Sequence, residues 1–417
     1  MSWRKIAVNT IYQLIGKGFS ILTNILMLAL ITRALGVAQF GEYVLVTTVP
    51  TFLYLFADFG LNAVFLREVA KDNHHIAKFG SLLSMRLILA AASLVFGLAY
   101  AFLYPHAPLV RAGIMIALTT VFTQGVFISL NALFQHNLRY ELSALAGILA
   151  HVFAVALVVW GFLNHAGLLF FVGVWAATVL VLAGAAFLFS WKLPEKPQFS
   201  WDPKWVRRIF LLSLPIGLML VFSQINFTAD VFLLRAMDSA EAVGIYRLGY
   251  KVFENILPIP IFFVNALYPV MLQDHKQSLA ALWERLKKGV WILLASALVL
   301  VVLGLAVAPI LISILGGADF RDSILVLRVL VISLPVFFLT APLQWFLITV
   351  GREWVLPLIY ALAAAFNVWV NFSFIPEYSY FASLFATIAS EVLILFLLLI
   401  QIVRFKRGII KAKGTAR

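Results

Sequence analysis

Apolar runs of about twenty residues, separated by short polar breaks, fill almost the whole chain. A helix of that length matches the roughly 30 Å of hydrocarbon that a bilayer presents. The pattern therefore predicts twelve spanning helices, at 8–32, 42–66, 80–104, 110–135, 142–163, 166–190, 209–234, 243–271, 289–315, 324–350, 354–375 and 379–403. Polar residues enter some of these spans at helical spacing. In the first, Asn9, Gln13, Lys17, Ser20 and Asn24 form one face, and in the second Thr47, Thr51, Tyr54, Asp58 and Asn62 do so. The fourth carries Thr120, Gln124, Asn131 and Gln135. In the seventh, Gln224 and Thr228 lie on one side, with Ser223, Asn226 and Asp230 on another. The eighth is the most polar, with Arg247, Lys251, Glu254, Asn255 and Asn265, and with Pro258 and Pro260 between them. The tenth has Ser333, Thr340 and Gln344, while the last two add Asn367, Asn371 and a lone Glu391. The third, fifth, sixth and ninth read as nearly blank inside. Two arrangements satisfy this pattern: a wet cavity between polar faces, or interhelical hydrogen bonds that hold the bundle together.

A short repeat divides the spans. Arg33-Ala34-Leu35 followed by Phe40-Gly41-Glu42-Tyr43 recurs as Arg235-Ala236-Met237 followed by Val243-Gly244-Ile245-Tyr246, at an offset of 202 to 203 residues. Asn24 and Asn226 fall in the same register. Six helices per half give both halves the same membrane orientation. The expected fold is thus an all-α integral membrane protein of two similar six-helix lobes around a central cavity. The lobes are read as 1–193 and 209–417, joined by a cytoplasmic linker at 194–208. Prolines deny the stretch after Trp191 a continuous helix, and Trp201, Trp205, Arg207 and Arg208 suggest a short amphipathic segment on the inner interface. Gln277 to Lys288 reads similarly. The repeated motifs read as structural: glycine suits a helix start after a tight turn, and arginines at helix ends can snorkel.

Composition agrees with a polytopic membrane protein: 63% of residues are hydrophobic, 12% are charged, and mean hydropathy is +1.02. The net charge of +13 reflects lysine and arginine on one side of the membrane rather than a nucleic-acid surface. The expected outer side holds only Arg33, Arg111, Arg235, Arg247, Arg321 and Arg328, with no lysine, whereas Arg67, Lys71, Lys78, Arg86 and many others fall to the inner ends and loops. Both termini are therefore expected in the cytoplasm, with the first helix retained rather than cleaved. There is no cysteine, so disulfides and thiol chemistry are excluded. No phosphate-binding glycine loop, metal-ligand cluster or hydrolase elbow occurs, and the outer loops are too short for a catalytic domain. The chain reads as a non-enzyme with no metal and no cofactor.

Intramembrane charges are costly and mark function. Lys17 and Asp58 both fall roughly 12 to 14 Å above the inner ends of their spans. A tight outer turn joins those spans, which predicts an ion pair or water-bridged pair between them. Lys251 and Glu254, three residues apart, can pair locally. Pro50, Pro215, Pro258, Pro260, Pro335 and Pro342 interrupt the helices that carry polar faces, and proline can kink or loosen a helix.

Ile31-Thr32-Arg33-Ala34-Leu35-Gly36, Phe40 to Tyr43, Ala57-Asp58-Phe59-Gly60-Leu61 and Arg67-Glu68 carry a family resemblance, as do Asp230 and Val243 through Lys251. On these residues the chain resembles the Wzx-type polysaccharide-biosynthesis branch of the flippase superfamily that also contains MATE exporters and MurJ. The resemblance implies alternating access by two lobes that move a lipid-linked oligosaccharide outward while its polyprenyl tail stays in lipid. Lys17, Arg247 and Lys251 would then meet the pyrophosphate, with Arg33, Arg235 and Arg328 near the outer mouth. Gln13, Asn24, Tyr54, Gln124, Asn131, Gln224, Asn226, Asn255 and Gln344 would line the cavity for sugars. An inside-negative potential favours outward movement of the anion by about 2.3 kcal/mol per charge per 100 mV. Resetting by proton or sodium entry would use Asp58, Asp230, Glu254 or Glu391. The implied partners are the lipid-linked glycan, membrane lipids and glycan-assembly proteins, with no nucleic acid, and the implied setting is a monomer in a bacterial or archaeal cell membrane. A MATE-like organic-cation antiporter and a membrane glycosyltransferase or polymerase are the competing readings.

Overall fold

The computed structural model describes the backbone of residues 3–193 and 200–414, and side chains within 16–72, 76–193 and 200–407. Among these residues the chain is helical throughout, with fourteen α-helices, two short 3₁₀ turns and no strand. The side chain of Gln13 and the linker residues 194–199 lie outside the described set. Packing divides the chain into two compact units, Met1–Val221 and Phe222–Arg417, with the division inside one helix.

The first unit opens with α1 (Trp3–Asp58), whose backbone is helical except at Gly36, where φ is +68° and ψ is −179°. That break divides α1 into limbs 3–35 and 37–58. Positive φ costs glycine little and other residues more, so the turn sits on Gly36. Gly41, expected to start the second helix, lies within a continuous helical run instead. A second interruption at Phe59 (φ +42°) and Gly60 (φ +71°) separates α1 from α2 (Leu61–Lys71). Then follow α3 (Phe79–Leu103), α4 (Pro108–His136), α5 (Tyr140–Leu163) and α6 (Leu168–Ser190). The α4 helix packs along α6 and α1, and α5 packs along α1 and α6.

The expected short segment at Trp201–Arg208 is the start of α7 (Pro203–Met237). Pro203 is the first helical residue, a position that its fixed φ suits. Asp202 accepts a hydrogen bond from the Trp205 N–H at 3.1 Å, as an N-cap does. Trp205 is 6% exposed and meets Phe65 edge-on at 6.0 Å, inside a core that includes Leu61, Phe79, Phe134 and Ile209. The stretch from Pro203 is thus the first turn of α7, continuous with it rather than a separate segment, with Trp205 and Ile209 buried and Lys204, Arg207 and Arg208 exposed.

The second unit comprises the rest of α7, then α8 (Ala240–Glu254), α9 (Pro258–Gln277), α10 (Leu279–Gly316), α11 (Ser323–Ile332), α12 (Leu334–Thr349), α13 (Val355–Tyr378) and α14 (Tyr380–Gly414). Here the repeated joint is built differently. The α7 helix ends, and Ser239 caps α8 by accepting from the Ala242 N–H at 3.1 Å. Ser278 caps α10 in the same way through Ala281. Because α10 runs on from that cap as one helix, Leu279 to Lys288 belongs to it, and the separate interfacial segment expected there is absent. The α8–α9 break precedes Pro258, and α11 meets α12 at a 45° bend just before Pro335. A proline has no N–H for the carbonyl four residues back and its ring crowds that carbonyl, which favours a break ahead of Pro258 and Pro335. At Gly249, α8 passes so close to α11 that an added Cβ would stand 2.9 Å from the Ser323 carbonyl, the small-residue contact of membrane helices.

Ten described helical segments are long and apolar enough to span, and the bent α11–α12 pair makes eleven. Dividing α1 at Gly36 gives twelve. Burial is inverted relative to a water-soluble domain: Leu103 is 84% exposed and Phe96 71%, while Arg86 and Asp230 are fully buried. Apolar groups outside and paired polar groups inside suit a helical protein dissolved in lipid. The chain is a multi-pass membrane protein.

Candidate functional site

Each unit carries its own intramembrane polar cluster. In the first, the organising residue is Arg86 of α3, which sequence reading assigned to the inner side. It lies seven residues into α3 and is fully buried. Its guanidinium donates to Asp58 Oδ1 at 2.8 Å, to Asn62 Oδ1 at 3.0 Å and to Ser129 Oγ at 2.5 Å. Asn62 then donates to the Ile128 carbonyl at 3.1 Å, so the end of α1, α2, α3 and α4 are tied at one point. The expected Lys17–Asp58 pair is not formed. Asp58 has Arg86, and Lys17 is exposed. The depth estimate took Asp58 to lie inside an unbroken span. The Phe59–Gly60 break instead turns the chain at Asp58, beside α3. The third span is not blank, and the available signal was Arg86 itself, roughly 9 Å along a helix predicted to begin at residue 80. Tyr54 lies one turn before Asp58, its hydroxyl buried without a hydrogen bond among the described residues.

Toward the linker side of this unit, Glu68 is 1% exposed and binds Lys71 at 2.8 Å and Arg208 at 2.7 Å. Lys78 pairs with Asp202 at 2.7 Å. Hydrogen bonding by the Lys78 ammonium, then by the Trp205 N–H, holds the Asp202 carboxyl below its usual range.

In the second unit the polar residues of α7, α8 and α12–α14 gather. Arg247 donates to the Phe227 carbonyl at 3.3 Å and lies 4.7 Å above the Tyr250 ring. Buried Asp230 feels its charge; one carboxylate oxygen accepts from the Val231 N–H at 2.8 Å, and the other has no hydrogen bond among the described residues. One turn beyond Arg247, Lys251 meets Glu254 at 3.0 Å, as the spacing predicts, with both side chains more than two-fifths exposed. Tyr246 shares a 2.9 Å hydrogen bond with Thr387. Glu391 lies 2.7 Å from the Thr340 hydroxyl. Beside it, Asn371 donates to the Asn367 side chain at 3.0 Å, Ser383 donates to Asn371 at 2.6 Å, and Tyr360 donates to Gln344 at 3.0 Å.

The remaining candidates are scattered. Arg33, Arg328, Asn24 and Asn255 are exposed, and Asn255 bonds back to the Lys251 carbonyl at 2.7 Å. Arg235, Gln124 and Gln224 are half-buried; Asn131 accepts from Ser143 at 2.8 Å. Asn24 and Asn226, equivalent in the repeat, differ in setting, since Asn226 is 5% exposed. A recess of about 540 Å³ lies between α7 and α13, lined by Phe222, Ile225, Ala361, Ala364, Val368 and Trp369. Its walls suit hydrocarbon and offer nothing to a charged group.

The fold has solved counterparts. A lipid II flippase, MurJ, in an inward closed conformation superposes with TM-score 0.77 at 13% identity, covering 94% of this chain and 87% of that one. An inward-facing MATE-family multidrug transporter of the MOP superfamily gives TM-score 0.75 at 13% identity, with 93% and 96% covered. A MOP-superfamily transporter from Pyrococcus furiosus, described as having a binding pocket of reverse polarity, gives 0.65 at 15%, with 96% of each chain covered. At such identities the likeness concerns the fold, which this chain shares with these transporters. A search of curated proteins finds no significant match. The sequence profile of the polysaccharide biosynthesis protein family, however, matches residues 2–275. With that match over well over half of its length, the chain belongs to the polysaccharide biosynthesis protein family.

Proposed function

We propose that this protein is an alternating-access flippase that carries a lipid-linked oligosaccharide from the cytoplasmic to the outer leaflet of a bacterial or archaeal cell membrane. The observation that carries the reading is the pair of cations on one face of α8. Arg247 is buried and fixed by Tyr250, while Lys251 is accessible and, among the described residues, pairs with Glu254. An accessible ammonium on a neighbouring carboxylate can exchange that partner for a phosphate, and charge-assisted bonds of this kind are the strong ones. Family membership and the fold shared with a lipid II flippase support the same class of cargo. Lys17, Arg33, Arg235 and Arg328 are further proposed contacts for the diphosphate, and the Asn, Gln and Tyr faces for sugars. The apolar recess on α7 and α13 suits a polyprenyl tail. We place both termini in the cytoplasm and take the monomer to be the working unit, beside glycan-assembly proteins. Coupling to proton or sodium entry would use one of Asp58, Asp230, Glu254 and Glu391.

A MATE-like cation exporter is the second reading, favoured by the buried Asp230 and the equally close MATE fold. Complementation separates the two. In strains lacking their own flippase, the native chain is expected to restore surface glycan in at least one glycan background. At matched expression, Lys251→Ala and Lys17→Ala should each lower that activity about tenfold or more, the factor given by losing one charge-assisted hydrogen bond. Failure in every background together with robust organic-cation export reverses the reading.

A further inference from the structure

We propose that Glu391 is the proton-binding carboxyl of the second unit, held as a neutral carboxylic acid at neutral pH. Its assignment as the coupling site rests on the transport reading above; its protonation does not.

The first argument is a charge inventory. Of the four acids proposed for ion coupling, Asp58 has Arg86 at 2.8 Å, Glu254 has Lys251 at 3.0 Å, and Asp230 faces the Arg247 charge. Among the described residues Glu391 has no cation partner. It is 5% exposed, and its one hydrogen-bonding neighbour among the described residues is a neutral hydroxyl. It lies in the twelfth position of α14, roughly 16 Å along that helix, about half the hydrocarbon thickness. Among the described residues, the elements packed against it supply no free counter-charge, since Arg247 and Lys251 of α8 face Asp230 and Glu254. The α12 helix contains no charged residue, and α13 presents Tyr360. From α8 the group that senses it is Tyr250, and Arg328 of α11 is exposed. On α14 itself the basic residues begin at Arg404, more than three turns away. An isolated carboxylate in such a site takes up a proton rather than remain charged.

The second argument is a proton count at Thr340. Its Oγ1 lies 2.9 Å from the Phe337 carbonyl and 2.7 Å from Glu391 Oε1. A threonine hydroxyl has one hydrogen to donate. Were Glu391 ionised, both neighbours would be acceptors competing for that hydrogen. With a proton on Glu391, every group is satisfied: the carboxylic acid donates to Thr340, and Thr340 donates to the Phe337 carbonyl, the back-bond usual for threonine in a helix. The two short contacts at Thr340 fit a protonated carboxyl beside it.

Release of this proton leaves a charge that the surrounding helices do not balance, so ionised Glu391 needs water or a rearranged neighbour. The 45° joint of α11 and α12 lies seven residues before Thr340. One turn before Glu391, Thr387 bonds to Tyr246, which lies against Asp230. Hydroxyls thus lead from the Glu391 face of α14 toward the cationic face of α8.

The test is infrared difference spectroscopy on the full chain in lipid nanodiscs, titrated from neutral to alkaline pH. The native protein is expected to show a protonated carboxyl carbonyl band at neutral pH, lost as pH rises, and Glu391→Gln should lack it. A native spectrum without the band, or one unchanged by Glu391→Gln, overturns the proposal. Should Glu391→Gln fail to fold, Thr340→Val reads the same group: loss of its acceptor should shift the band, and an unmoved band counts against the assignment. No glycan is needed, so failure of the flippase reading would leave this result intact, and failure here would leave complementation intact.

Discussion

At the scale of single residues, the first unit turns on Arg86. A fully buried guanidinium is tolerable only because Asp58, Asn62 and Ser129 surround it, and the pair is worth less than the cost of breaking it. Arg86→Ala should therefore destabilise the protein by about 3 to 5 kcal/mol, leaving Asp58 without its cation. The measurement is the thermal unfolding midpoint in detergent, with Asp58→Ala and the double variant completing a cycle. A double variant no worse than Arg86→Ala alone is expected, since the stranded charge is then gone. Additive losses would mean that the two side chains act separately. The sequence contained Arg86 but not its role. Reading lysine and arginine for topology pooled it with loop residues, and the bend that brings Asp58 to it depends on Phe59 and Gly60 adopting positive φ.

At the scale of elements, helix positions were legible because spanning a bilayer demands long apolar runs, and nothing short of that length competes. The joints were less so. The repeated Arg33 and Arg235 motifs did mark equivalent corners, yet one is a glycine break inside α1 and the other a serine-capped start. Local residues, Gly36 against Ser239, decide which. The start of α7 was read as a separate segment for a related reason. Tryptophan with arginine suits an interface, but Asp202 and Pro203 begin a helix there and Phe65 receives Trp205. The Lys78–Asp202 pair clamps this start to the entry of α3. Because the folded-state pKa of Asp202 is depressed, its contribution is present above the ordinary carboxyl pKa of about 3.9 and is lost as pH falls through the folded value. Asp202→Asn keeps a capping oxygen and removes the charge. Its unfolding midpoint should lie below that of the native chain at neutral pH, and the gap should narrow as the native protein is acidified below that range. A gap that persists unchanged in acid would assign the loss to capping rather than to the ion pair.

At the scale of the whole molecule, hydropathy and charge bias specify different things. Apolar run length gives the number of crossings, while lysine and arginine counts give their direction. Direction has no counterpart in helix packing, so it calls for a chemical test, and the absence of native cysteine makes one direct. Asn164, between α5 and α6, and Lys287, near the start of α10, are both exposed. A single cysteine at Asn164 should react with a membrane-impermeant maleimide in intact cells. One at Lys287 should react only after the membrane is opened. The reverse pattern would invert the molecule and place Arg33 and Arg235 toward the cytoplasm. Equal labelling at both sites in intact cells would mean an odd number of crossings is wrong between them, and α6 through α9 would have to be recounted. The expected pattern instead sets the basic ends of α2, α7 and α10 against anionic inner-leaflet lipid, where each lysine or arginine gains about 1 kcal/mol.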